Sequence, residues 1–124
     1  MSEDLKGIDV KDGLKIASGD SILYARLLKS FVASGIVKEF LDALERKDLK
    51  AAQFKAHALK GIAANLALPV LRGLAESFDE QLKKGVLPDA PGEKAAAFKA
   101  AYEEAEKSIN IILAGPQILE KFKN

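Results

Sequence analysis

The apolar residues of this chain recur almost everywhere with the spacing of an α-helix. They lie three or four positions apart, whereas the alternating β-branched runs that are typical of strands are missing. Side chains with this spacing share one face of a helix, and that face is buried when helices pack together. The spacing therefore predicts an all-α protein.

Capping and helix-breaking residues divide this pattern into five helices. Asp9, Asp20 and Asp48 each precede a helical stripe and are suited to cap its first turn. Pro69 is suited to the first turn of a further helix, and Gly85 to the end of that helix. The predicted helices span about 10–17, 21–46, 49–67, 69–84 and 93–114.

Four of these helices are long and amphipathic, and most of the loops between them are short. This organisation is typical of an antiparallel four-helix bundle, here with a short additional N-terminal helix. The stripe of the second helix continues past Gly35, where we expect a local kink or a close helix contact. The connection rich in proline and glycine is 86–92. We expect a single domain over residues 1–124, with flexible ends at about 1–7 and 116–124.

Composition excludes several classes of function. Lysine and arginine total 19 against 18 for aspartate and glutamate, so no excess of positive charge favours a nucleic acid or an anionic membrane. The absence of cysteine excludes disulfides and thiolate metal sites, and a single histidine argues against a metal centre. The pattern of these residues predicts neither a signal peptide, a membrane span nor a nucleotide-binding glycine loop. We expect a cytoplasmic protein that binds no cofactor and has no kinase activity of its own.

The single histidine lies in the third predicted helix. On a helical wheel, one face holds Leu59, Ile62, Ala63 and Leu66, and the opposite face holds His57, Lys60, Gly61 and Ala64. His57 is therefore expected to point away from the core. Its position alone leaves open whether it is an idle exposed residue or a functional one.

Lys60 and Gly61 lie about one turn beyond His57 on the same face. Lys60 would supply positive charge where an anion on His57 would sit. Gly61 costs about 1 kcal/mol relative to alanine inside a helix, and no break in the pattern requires it. Either another molecule comes close to this face or Gly61 packs tightly against a neighbouring helix.

The segment around His57 resembles a family signature. Residues 57–61 read H-A-L-K-G and residues 65–66 read N-L, which is similar to the H-x-L-K-G-x-x-x-N-[LI]-G motif of histidine-containing phosphotransfer (Hpt) domains. The stretches 19–31 and 74–79 also resemble that family. The last helix matches it only in length and amphipathicity.

The resemblance implies that His57 is the phosphoryl acceptor of a phosphorelay. In the family, Nε2 of this histidine takes a phosphoryl group from a phospho-aspartate on a response-regulator receiver domain and passes it to another receiver aspartate. An exposed imidazole that is largely neutral has the lone pair that this attack needs. Lys60 would neutralise charge on the phosphoryl group, and we expect the required Mg²⁺ on the receiver. The implied partners are receiver domains and a hybrid sensor histidine kinase, with the chain itself a monomer.

A partner-docking surface is expected beside His57. Gly61 and Ala64 share its face, and the wheel places Phe54 and Leu68 within about 60° of it. For Phe54 and Leu68, ordinary packing at the edge of the core is the alternative. A modest apolar patch at this position would suit the apolar face of a receiver.

The chain departs from the family pattern at two positions. Ala67 stands where the motif usually ends in glycine, so the end of the third helix is less sharply specified. Phe78-Asp79 stands where Leu-Glu or a glutamine-containing variant is more frequent, and Asp79 either orients the imidazole or is solvated. Two alternative functions also stay open. They are a phosphorylation-independent interaction or scaffold module, and the isolated acceptor domain of a hybrid or chemotaxis-type sensor kinase.

Overall fold

Six α-helices and a C-terminal 3-10 helix account for most of residues 5–87 and 92–123, which the computed structural model describes. These residues contain no strand, so the predicted all-α class is confirmed. The helices are α1 Val10–Ile16, α2 Ser21–Ser34, α3 Ile36–Glu45, α4 Leu49–Leu66, α5 Pro69–Lys83 and α6 Glu93–Ala114, and the 3-10 helix is Pro116–Phe122.

Three aspartates begin α1, α2 and α4 as predicted. The carboxylates of Asp9, Asp20 and Asp48 each accept a hydrogen bond from the backbone N–H three residues later, at 3.1, 2.9 and 3.1 Å. Each bond satisfies one of the N–H groups that a helix leaves unpaired in its first turn. The polar boundaries of the helices are therefore local features that the sequence encodes directly.

The second predicted helix is divided into α2 and α3 at Gly35. This glycine has a φ of 72°, in the left-handed region that ends a helix and that side chains other than glycine rarely adopt. No atom lies within 4 Å of the position that a Cβ would take, so the residue serves the bend and not a close helix contact. The apolar stripe continues across the bend, because Phe31, Val37 and Phe40 are all buried.

The core joins α3, α5 and α6 through aromatic rings. Phe40 contacts Phe78 and Phe98 with ring centroids 5.1 and 5.0 Å apart, and Phe78 lies 5.9 Å from Phe98. All three side chains are fully buried. Their tilted and edge-to-face geometry adds to the stabilisation that comes from burial of the rings.

A two-residue turn folds α5 back against α4. Ala67 has a φ of 61°, and the N–H of Leu68 donates to the carbonyl of Ala63 at 2.9 Å, so the helix ends with a left-handed cap although glycine is absent. Pro69 then occupies the first turn of α5. This hairpin sets two antiparallel helices side by side and determines which residues of α5 meet the outer face of α4.

The prediction that Leu68 belongs to a docking surface is wrong. Its side chain is fully buried. The helical wheel carries α4 past its last residue, Leu66, whereas the left-handed turn at Ala67 rotates Leu68 into the core. A wheel gives directions only for residues that share one continuous helix.

The prediction of a flexible C-terminal end is also wrong for 116–122. The side chain of Leu119 in the 3-10 helix is fully buried, and Ser21 donates to the Glu120 carboxylate at 3.0 Å. At the other end, Ser108 donates to the carbonyl of Lys6 at 2.6 Å and Ile8 is buried. Residues 1–4 of the predicted flexible N-terminal end, 88–91 of the predicted connection and residue 124 lie outside the described residues.

Candidate functional site

His57 lies near the middle of α4 on the face that points away from the core. Its side chain is 60% exposed, whereas Ala52, Ala56 and Leu59 on the other side of the helix are fully buried. His57 therefore has its backbone fixed within a helix while its imidazole is accessible to solvent. These are the conditions under which a side chain can meet another macromolecule without rearrangement of the fold.

Asp79 of α5 lies directly beside this imidazole. Its Oδ2 is 3.2 Å from Nδ1 of His57, and its side chain is only 1% exposed. The alternative that Asp79 is a solvated surface residue is therefore wrong. The antiparallel hairpin is responsible for the contact, because it brings the middle of α5 against the middle of α4.

Two lysines surround the same carboxylate oxygen. Nζ of Lys60 lies 3.4 Å from Oδ2 of Asp79, and Nζ of Lys83 lies 3.3 Å from it. Lys60 is about one third exposed, and Lys83 is about half exposed. Two cations against one anion leave a net positive charge beside His57, which favours the approach of an anionic group.

Gln53 holds the other oxygen of Asp79. Its Nε2 donates to Oδ1 at 3.0 Å. Burial raises the pKa of the Asp79 carboxyl, but the hydrogen bonds from Gln53, His57, Lys83 and Lys60 together outweigh burial and lower this pKa from 3.8 to about 2. Asp79 is therefore an anion throughout the physiological range.

The charge of Asp79 determines which nitrogen of the imidazole carries a hydrogen. An ionised carboxylate can only accept hydrogen bonds, so Nδ1 of His57 is the donor in their contact. In the neutral ring the lone pair then lies on Nε2, the nitrogen that points away from Asp79. The site presents a nucleophilic nitrogen to the exterior.

The surface beside His57 is open at Gly61. This residue is exposed, and apart from the adjacent residues and backbone of α4 itself no atom lies within 4 Å of the position that a Cβ would take. The alternative explanation for this glycine, tight packing against a neighbouring helix, is therefore wrong. Of the other residues expected to dock a partner, Phe54 is 70% exposed and Ala64 is half-buried. They stay candidates, whereas Leu68 does not.

Gln53 and Lys83 are members of the site that the sequence analysis missed. Gln53 lies four residues before His57, and Lys83 lies four residues after Asp79, so each is the next-turn neighbour of a residue already singled out. The four-residue spacing would have indicated both residues, but only once it was known that Asp79 faces His57. Among the described residues, no group of His, Asp and Glu side chains could hold a metal ion.

The protein is a helical bundle that displays one oriented imidazole on the outer face of α4. The family model of the Hpt domain matches residues 28–108, more than half of the chain, and the chain therefore belongs to the Hpt domain family. The match begins in α2 and ends in α6, so it includes His57, Lys60, Gly61 and Asp79. Membership of this family implies phosphotransfer in two-component systems.

Neither curated proteins nor solved structures gave a match to the chain. No helix within 5–87 and 92–123 has the length and apolar character needed to cross a membrane.

Proposed function

We propose that this protein is a phosphorelay intermediate with His57 as its phosphoryl acceptor. The phosphoryl group comes from the phospho-aspartate of one receiver domain and leaves to the aspartate of another. The contact between Nδ1 of His57 and the Asp79 carboxylate carries the proposal, because it leaves the Nε2 lone pair free at the surface. The protein acts as a cytoplasmic monomer without kinase activity of its own.

The transfer step forms one bond and breaks one. Nε2 of His57 attacks phosphorus, an N–P bond forms, and the P–O bond to the receiver aspartate breaks with release of a free carboxylate. Because Nδ1 keeps its proton, the ring becomes positively charged as the N–P bond forms. The buried anion of Asp79 stabilises that charge. The reverse step, towards the second receiver, restores the neutral ring.

Lys60 and Lys83 supply counter-charge to the phosphoryl oxygens. Both ammonium groups contact Asp79 in the resting protein, and their flexible side chains can reach towards a phosphoryl group on Nε2. Mg²⁺ belongs to the receiver in this proposal, together with the aspartate that gives or takes the group. Charge and position are most of what phosphoryl transfer requires of a protein.

The receiver docks on the outer face of α4. Phe54 offers an exposed apolar side chain one turn before His57, Gly61 leaves room one turn after it, and Ala64 extends the low surface by a further turn. Because Phe54 supplies an apolar contact and the small residues Gly61 and Ala64 leave space, the receiver can bring its active site to within bonding distance of Nε2.

The test is phosphoryl transfer from a phosphorylated receiver with Mg²⁺. We expect an acid-labile, base-stable phosphoprotein for the parent and no label for His57→Gln. His57 is the only histidine of the chain, so the variant leaves no other imidazole to take the label. Label that stays on His57→Gln would overturn the proposal. A parent that binds receivers but takes no label would act as a phosphorylation-independent interaction module.

A further inference from the structure

The two oxygens of the Asp79 carboxylate have different partners. Oδ2 faces Nδ1 of His57 and the two lysines, whereas Oδ1 accepts the hydrogen bond from Nε2 of Gln53 at 3.0 Å. A carboxylate on a short side chain can rotate about its Cβ–Cγ bond, and that rotation would exchange the two oxygens or turn both away from the ring. A donor at Oδ1 opposes the rotation.

Gln53 and His57 stand one turn apart on α4. The helix therefore holds their backbones at a constant separation, and Asp79 bridges the two side chains from α5. Gln53 is half-buried, and the hydrogen bond of its amide goes to Asp79. The hydrogen bonds of the site therefore connect Gln53 to His57 through the carboxylate.

We propose that Gln53 is a positioning residue for His57 that acts through Asp79. Its amide group aligns the carboxylate so that Oδ2 accepts the Nδ1 proton, and this selects the tautomer whose lone pair lies on Nε2. The consequence for phosphoryl transfer rests on the proposed function of His57, whereas the effect on the tautomer does not.

The length of the aspartate side chain explains the need for a second positioning group. Asp79 has one methylene group fewer than a glutamate, and its carboxylate lies close to its own backbone beneath the imidazole. At 1% exposure no solvent reaches it to fill an unmet acceptor. The amide of Gln53 both satisfies Oδ1 and gives the carboxylate one preferred rotation.

The test measures the two neutral tautomers of His57 by ¹⁵N NMR of the unphosphorylated protein. The assignment is unambiguous because the chain contains one histidine. We expect the Nδ1–H form to predominate in the parent. Gln53→Met keeps a side chain of similar length but removes the donor, and we expect the ratio of Nδ1–H to Nε2–H to fall by about threefold, a typical consequence of one weakened hydrogen bond.

Gln81→Met is the matched control. Gln81 is also a half-buried glutamine, but it contacts Lys94 on the other side of α5. We expect the parental tautomer ratio in this variant. Gln53→Ala is the second test variant, and circular dichroism of each protein checks that its helices are intact.

A double-mutant cycle with Asp79→Leu identifies the route of the effect, because leucine has no atom that can bond Gln53 or His57. If Gln53 acts through the carboxylate, Gln53→Met should change the tautomer ratio in the parent and leave it unchanged in a folded Asp79→Leu background. A parental ratio in both folded Gln53 variants would overturn the proposal. An undiminished change in the Asp79→Leu background would also overturn it, since Gln53 would then act on the ring by another route.

Transfer kinetics separate this inference from the proposed function. With a receiver as donor, we expect Gln53→Met to lower the transfer rate constant by about threefold and to leave receiver affinity unchanged. A tautomer shift in a chain whose parent takes no label would leave the positioning role standing and overturn the proposed function. A parent that takes label, together with Gln53 variants that show no tautomer shift, would support the proposed function and overturn the positioning role.

Discussion

Gly13 and Gly61 are both glycines inside helices, yet their surroundings are opposite. Gly13 is buried where α1 crosses Tyr24 of α2, and a Cβ at this position would collide with the Tyr24 ring and hydroxyl. That hydroxyl donates to the carbonyl of Leu66 at 2.7 Å, so the slot at Gly13 helps to tie together three helices. Gly61 is exposed and has no neighbour within 4 Å of a Cβ.

Glycine is therefore present inside these two helices for two different reasons. At the Tyr24 slot, packing accounts for the glycine completely, because no larger residue fits there. On the His57 face, packing within the chain accounts for nothing, and the helix is less stable than it would be with alanine. A residue that costs stability and fills no internal role points to a requirement from outside the chain, which here is the approach of a partner.

The largest expected effect on stability is that of Gly13→Ala. The new methyl group must displace the fully buried Tyr24 side chain, and overpacking together with loss of the bond to the Leu66 carbonyl should lower the free energy of unfolding by about 3 kcal/mol. Urea denaturation followed by circular dichroism measures the change. If Gly13→Ala were as stable as the parent, packing against Tyr24 would not require glycine at this position, and the contrast with Gly61 would be contradicted.

Gly61→Glu should have the largest effect on transfer. Glutamate favours the helix over glycine, but it places bulk and negative charge where the receiver and the phosphoryl group must approach. We expect transfer from a phosphorylated receiver to fall by about a hundredfold, which corresponds to about 2.7 kcal/mol, while the melting temperature is kept. Transfer at the parental rate would remove Gly61 from the docking surface.

Asp79 combines features of both regions, because it is buried in α5 yet contacts the exposed His57. Its pKa of about 2 lies below the ordinary 3.8, so its contribution to stability is present above pH 3.8 and is lost as the pH falls through 2. The contribution is about 2 kcal/mol. Denaturation curves between pH 5 and 2 should show a loss in the parent that Asp79→Asn does not share. Parallel pH profiles for the two proteins would contradict the ion-pair network.

The lysines around Asp79 should have smaller effects on transfer. Lys60→Ala and Lys83→Ala each remove one of two charges near the phosphoryl group, so we expect each to slow transfer or shorten the phosphohistidine lifetime by about threefold to tenfold. Lys60→Arg should be milder, since it keeps the charge. Lys84→Ala, at the exposed residue next to Lys83, is the control. Equal behaviour of the Lys83 and Lys84 variants would assign Lys83 to ordinary surface charge.

The smallest expected effect is that of Gly61→Ala. Because nothing opposes a methyl group at this position, the substitution should raise the free energy of unfolding by up to about 1 kcal/mol. The same exchange at the two glycines would then change stability in opposite directions. Destabilisation by Gly61→Ala would mean that the helix contact ruled out above exists after all.

Much of the fold could be predicted from local signals. The aspartate caps at positions 9, 20 and 48 and the proline at 69 mark helix starts through bonds within a few residues, so they need no tertiary information. Gly35 showed where the second helix could bend, but its apolar stripe runs through the bend, so the division into α2 and α3 could not be read from periodicity. Leu119 was missed for a different reason, because a short 3-10 segment has too few residues for a periodic signal.

The residues of the candidate site also fall into those that local signals predict and those that they do not. Residue spacing was enough to predict the helical class, the outward direction of His57 and the presence of Lys60 and Gly61 on its face, because each follows from positions within single helices. Packing between helices was needed to show that Asp79 is buried against the imidazole, that Gln53 and Lys83 share its carboxylate and that Leu68 lies in the core. Those facts depend on the left-handed turn at Ala67, which sets the register of α5 against α4, and the spacing of residues along a chain does not contain the distance between two helices.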